Sequence, residues 1–210
     1  VSPVCLELAN EILREAEAEF GDIDRSILFP IADHLDFAIR RLQRGEQISN
    51  PLTEDIRILF YKEYKVAGCI APMLKEKFQI ELDEHETGYI ALHVHSAIVD
   101  EKVSQAMEIA RTVRECISLV EKETGNSIDV MSLAYNRLMN HVRYMVARTI
   151  HGEKLKMNLN DYMSVKFPEA FHASERICRE MEKRLGLPMP DIEIGYLAMH
   201  LERMLDSETE

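Results

Sequence analysis

Tryptophan is absent from these 210 residues, and glycine and proline are scarce, at 8 and 7. An all-β chain needs many turns built on those two residues, so that architecture is disfavoured. Cysteine occurs only at Cys5, Cys69, Cys116 and Cys178, with no CxxC pair. This spacing signals neither a zinc ribbon nor a thioredoxin-like redox site. A chain of this size needs no disulfide scaffold, and the cysteines read as reduced thiols in a cytoplasm. No apolar run approaches the ~20 residues that span a bilayer, so membrane insertion is not expected. No basic segment followed by an apolar core opens the chain, so no signal peptide is expected. The first residue is Val1 rather than Met, and the chain reads as a piece of something longer.

Positive charge is also in short supply. Lys and Arg number 25 against 37 Asp and Glu, for a net charge of −12. A surface of that sign repels phosphate backbones, so this chain is not expected to hold nucleic acid itself. HExxH, a Gly-rich phosphate loop and a nucleophile elbow are all missing. The chain therefore reads as a non-enzyme without a cofactor. A helical metal-dependent hydrolase using His with Asp/Glu is the alternative from another class, and bound metal in a purified sample would favour it.

What the chain does have is helix-forming material. Hydrophobic residues make up 46% and charged residues 30%, the balance of a globular protein with a core. Leu, Ala, Glu, Lys, Arg and Met are abundant, all good helix formers. The sequence also repeats. Laid over one another at a fixed offset of 107, residues 34–97 and 141–204 share 12 identities without a gap. His34 meets His141, Arg41 meets Arg148, Phe60 meets Phe167 and His93 meets His200. The block EHETGYIALH lies over DIEIGYLAMH. Like-for-like exchanges such as Phe37/Tyr144 and Leu92/Met199 fill the intervals. The expected fold is all-α, two homologous bundles of about five helices each. The first domain is placed at 1–102 and the second at 103–210, with the seam near Val99–Lys102.

Apolar Val4, Leu8, Ile12 and Ala16 recur every four residues and predict a helix over 4–18. A second helix is predicted over 24–44, stopping at Gly45. Asn50 followed by Pro51 predicts a capped start for a helix over 51–62, with another over 64–78. Asp83 with Glu86 reads as a capping box opening a helix over 84–98. The second copy opens the equivalent helix with Pro190, Asp191 and Glu193. The acidic stretch ELDEHE reads as a solvated helix start, the many methionines of the second half as core filling, and the tail LDSETE as frayed surface.

Eight histidines are present, and four form the repeat-matched pairs His34/His141 and His93/His200. A packing role would be filled equally well by Leu or Met in one copy. The imidazole stays in both while its neighbours change, which favours chemistry over packing. Arg41 and Arg148 lie two turns after His34 and His141, about 10.5 Å along the same helix face. A guanidinium so placed can bind oxygens of a group carried by the imidazole. Glu86 and Glu193 lie seven residues before His93 and His200, again on one face, and are expected to orient those rings through one nitrogen. His93 and His95 point to different faces of a helix and are not expected to share a metal ion.

Here the chain resembles a known family. ADHLDFAIRR, NPL, YKEY and DEHETGYIALH look like a PTS regulation domain (PRD), and NHVRYMVAR with DIEIGYLAMH looks like a second. The tandem is similar to the regulatory region of BglG/SacY-type transcriptional antiterminators, across nearly the whole chain. The resemblance implies a sugar-responsive regulator whose histidines accept phosphoryl groups from the phosphotransferase system. The donors it implies are the phosphocarrier HPr and a sugar-specific enzyme II. The acceptors it implies are His34 and His93, then His141 and His200, with Arg41 and Arg148 supporting the phosphate. His85, His95, His151 and His172 match no family site. The resemblance further implies inactivation through the first domain when sugar is absent, activation through the second, and a cytoplasmic homodimer. The family's small RNA-binding domain is not within this chain, so RNA is expected only through a preceding segment. A PRD pair from a DNA-binding transcriptional activator is the nearest alternative. Two departures separate the copies: Asn140 stands where the first has Asp33, and Asn158 where it has Pro51.

Overall fold

The computed structural model describes residues 1–99, 102–125, 127–128 and 132–206, the last without its side chain. All regular structure among them is helical. The chain forms two compact units, Val1–Ala110 and Arg111–Glu210. Asp100 and Glu101, at the expected seam, lie outside the described residues, as do Met131 and the last four residues of the acidic tail.

In the first unit α1 (Pro3–Phe20) starts from Ser2, whose hydroxyl accepts the Cys5 amide, and ends at Gly21 with φ 87°. It buries Leu8, Ala9, Ile12, Leu13 and Ala16, one stripe of an amphipathic helix. This stripe packs against α2 (Leu28–Gln43), which a single 3-10 turn capped by Asp24 leads into. Beyond α2, Gly45 takes φ 70°, the left-handed conformation that stops a helix.

The segment after Asn50 departs from expectation. Asn50 is buried and its side chain accepts the Leu52 amide in a local turn, so the helix α3 (Thr53–Leu59) begins two residues later than predicted. Phe60, fully buried with φ −119° and ψ 44°, then breaks the run and starts α4 (Tyr61–Ala67). A 3-10 turn at Gly68–Ile70 separates α4 from α5 (Ala71–Phe78), where one helix over 64–78 is expected from the pattern. Pro72 lacks an amide hydrogen and clashes with a preceding carbonyl, and Gly68 is a poor helix former, so the two localise the break. The second copy has Glu175 and Arg179 at these places, and there α10 (Pro168–Leu185) runs through. In the first unit α6 (Glu84–Ile98) packs against α2, α3 and α4 and so lies at the centre.

The second unit repeats the plan with α8 (Leu133–His151), α9 (Asn160–Lys166), α10 and α11 (Ile192–Asp206). Here α11 takes the central place, packed on α8, α9 and α10. The later part of α7 (Val103–Thr124) is tied to α10 by Glu115–Arg184 and Glu123–Arg176 ion pairs. Phe167 kinks the chain between α9 and α10, as Phe60 does between α3 and α4. Met139, Met145, Met163 and Met181 are core residues, as expected, whereas Met157 is exposed.

Candidate histidine sites

Each unit brings its two repeat-matched histidines together from different helices. In the first, α2 supplies His34 and α6 supplies His93, with ring centroids 5.6 Å apart. In the second, α8 supplies His141 and α11 supplies His200, nearly parallel at 4.4 Å. A tyrosine one turn before the second histidine closes each site: Tyr89 lies 5.9 Å from His34, and Tyr196 lies 6.3 Å from His141.

Below each pair an arginine from one helix binds a buried glutamate from the other. Glu86 has no exposed side-chain surface and receives Nε of Arg41 at 3.1 Å, together with a second bond from Nη2. Its other oxygen lies 3.1 Å from Nε2 of His34. Burial alone would raise the Glu86 carboxyl pKa. Hydrogen bonds from His34 and Arg41, with their charges, outweigh this and hold it below its ordinary value. Glu193 is equally buried, and Arg148 grips both its oxygens, at 2.7 and 2.8 Å.

These contacts bear on four expectations. Asp83 caps α6 by accepting the Glu86 amide at 2.8 Å, but the Glu86 side chain does not return to complete a capping box. It crosses to α2 instead. The stretch ELDEHE is thus only partly solvated, for Glu86 is among the most buried residues of the unit. Nor does Glu86 orient His93: the two are about 10.5 Å apart along one helix, and the carboxylate meets His34 on the neighbouring helix. Arg41 and Arg148, expected to face a group carried by the imidazole, are bound to these glutamates. The pairing had a legible signal, since Arg41 with Glu86 and Arg148 with Glu193 are opposite charges kept together in both copies.

The copies differ where their residues do not. His141 is buried, and its Nε2 has no hydrogen-bond partner among the described residues, because Glu193 is committed to Arg148. Burial, with the neighbouring His200 and Arg148 charges, pushes the His141 pKa down to about 3. Burial and the His34 charge push His93 down to about 4. Burial, then Arg203 and Arg137, lowers that of His200. These three rings are therefore neutral near pH 7, and a neutral imidazole keeps the lone pair of a nucleophile.

The other histidines lie elsewhere. His95 is buried on α6, 2.9 Å from Glu63 of α4 with its ring against Phe60. His93 and His95 thus face different neighbours, as their spacing requires. His85 joins Thr53 at 2.7 Å, and His172 joins Glu175 on the surface of α10. Among the described residues no helix is long and apolar enough to cross a membrane.

Tandem helical bundles, each closing two histidines over an arginine–glutamate bridge, define an all-helical repeat protein. The chain matches the PRD domain at residues 7–97 and again at 114–204, and it belongs to that family. It is 28% identical over 205 residues to the transcription antiterminator LicT of Bacillus subtilis, covering 96% of this chain and 74% of that one. It is 25% identical to the protein GlcT of Staphylococcus saprophyticus, over 96% of this chain and 76% of that one. A beta-glucoside operon antiterminator of Dickeya chrysanthemi is also 25% identical, over 93% and 71%. The chain is the PRD pair of a transcriptional regulator of the antiterminator type.

Proposed function

We propose that this PRD pair is a sensor of phosphotransferase-system activity, with His34, His93, His141 and His200 as phosphoacceptors, HPr and a sugar-specific enzyme II as donors, and a homodimer as the responding state. The regulatory domains are 1–102 and 103–210, and the protein works in the cytoplasm without catalysing a reaction of its own. The observation that carries this reading is the paired placement of the four histidines. Two rings from two helices meet in each unit, at 5.6 and 4.4 Å, beside an arginine.

A phosphoryl group adds roughly two negative charges and strong acceptor oxygens. Placed on His34 it stands next to the buried Glu86 carboxylate and repels it. Arg41 then has two anions to choose between, the exposed one being the stronger acceptor. Transfer of the guanidinium loosens the bridge between α2 and α6. In the second unit Arg148 and Glu193 form the corresponding bridge between α8 and α11. A change in helix packing of this kind biases a two-state assembly and thereby a preceding RNA-binding segment.

The test is intact mass after incubation with phosphoenolpyruvate, enzyme I and HPr, with and without enzyme II. Acid-labile phosphate additions are expected, lost one by one in His34→Ala, His93→Ala, His141→Ala and His200→Ala. No addition from any donor would overturn the reading. An unchanged oligomeric state after full phosphorylation would remove the dimer switch from it.

A further inference from the structure

Glu86 touches His34 through one ring nitrogen only. Its Oε2 lies 3.1 Å from Nε2, and a carboxylate held in the ionised state by Arg41 can only accept there. Nε2 therefore carries a proton, and in the neutral form of the ring the lone pair is on Nδ1. Nδ1 makes no hydrogen bond among the described residues, and the side chain keeps 20% of its surface exposed. Resting on the phosphoacceptor reading above, we propose that Glu86 selects Nδ1 as the atom of His34 that takes the phosphoryl group.

The chemistry balances without a proton moving. The Nδ1 lone pair attacks phosphorus as the P–N bond of the donor's protonated phosphohistidine breaks. The donor ring leaves as neutral imidazole, and His34 becomes a phosphoimidazolium whose Nε2–H stays on Glu86. The carboxylate stabilises the positive ring that forms, and attack through Nε2 would require its displacement. Glu86 is thus a positioning residue that acts through tautomer and charge. The second unit supplies an internal control. Glu193 has the same place in the sequence but gives both oxygens to Arg148 and none to His141.

The experiment uses the full chain labelled with 15N-histidine. Long-range 1H–15N correlation, with His34 assigned by its absence in His34→Ala, reads the resting tautomer. The expected result is a protonated Nε2, with Nδ1 holding the lone pair in the neutral form of the ring. After phosphorylation with HPr and enzyme II, 31P–15N coupling is expected on Nδ1. In Glu86→Leu a mixture of the two isomers should replace the single one. A purely structural role for Glu86 would not move the isomer ratio. A lone-pair Nε2 in the neutral form of the ring would overturn the inference even if the Glu86→Leu variant fails to fold. Phosphorus on Nε2 would overturn it while leaving the phosphoacceptor reading intact, and no phosphate on His34 from any donor would overturn both.

Discussion

Arg148 holds Glu193 by two parallel hydrogen bonds, Nε to Oε1 at 2.7 Å and Nη2 to Oε2 at 2.8 Å, and the carboxylate is almost wholly buried. A pair of this kind is costly to break from one side, because the remaining charge has no water. Arg148→Met should therefore destabilise the second unit by about 3–5 kcal/mol. Adding Glu193→Leu removes the stranded charge and should restore most of that loss. Urea denaturation of the single and double variants measures both. Near-equal stability of Arg148→Met and the parent would contradict the burial argument.

The depressed histidine pKa values fix a pH window. The unfolded chain takes up protons below about 6.5, and the folded chain does not until about 4 at His93 and about 3 at His141. The stabilisation is complete above pH 6.5 and is lost as pH falls towards those values. Each such histidine should contribute a slope of up to about 1.4 kcal/mol per pH unit within the window. Denaturation curves between pH 7 and 4 should show this slope, and it should flatten in His93→Leu and His141→Leu.

Gly88 and Gly195 occupy equivalent positions on the central helices but differ in what surrounds them. A Cβ at Gly195 would come within 2.6 Å of Oδ1 of Asn160 and 2.9 Å of its backbone nitrogen. A Cβ at Gly88 would meet only Ile56, at 3.8 Å. Gly195→Ala should cost about 1–3 kcal/mol, because α9 must move away from α11. Gly88→Ala should be neutral or stabilising by up to about 1 kcal/mol, as expected for alanine in a helix. Thermal melts of the two variants should move in different directions or by clearly different amounts.

Glu63 and His95 form a buried contact, 2.9 Å long, that only the first unit has. Their counterparts are Ala170 and Glu202. Glu63→Ala should lower the stability of the first unit by about 1–3 kcal/mol through the loss of a buried hydrogen bond. It should leave the number of phosphate additions unchanged. A drop in that number in a variant that is still folded would draw His95 into the phosphorylation chemistry.

Much of the architecture was legible in the chain. The repeat at an offset of 107, the periodic apolar positions and the lack of turn residues imply two related helical bundles. Breaks were harder to place. Pro72 with Gly68 interrupts the helix of the first copy, while the same stretch of the second runs unbroken from Pro168 to Leu185. The offset of Asn50 from the helix start arose because its side chain serves a local turn, a competition that propensity alone does not resolve.

The sequence by itself determined that there would be two helical units, each with two matched histidines, one arginine and one glutamate. Only tertiary structure decided who meets whom. Along a helix, residues seven apart share a face but stand about 10.5 Å apart, beyond any hydrogen bond. Helix packing therefore had to bring Glu86 to His34 and Arg41 on α2. It also decided what the shared residues leave open: the two oxygens of Glu86 serve two partners, whereas those of Glu193 both go to Arg148 and leave Nε2 of His141 without a partner among the described residues. A carboxylate has two oxygens on one rigid plane, and the distance and tilt between two packed helices set how they are divided.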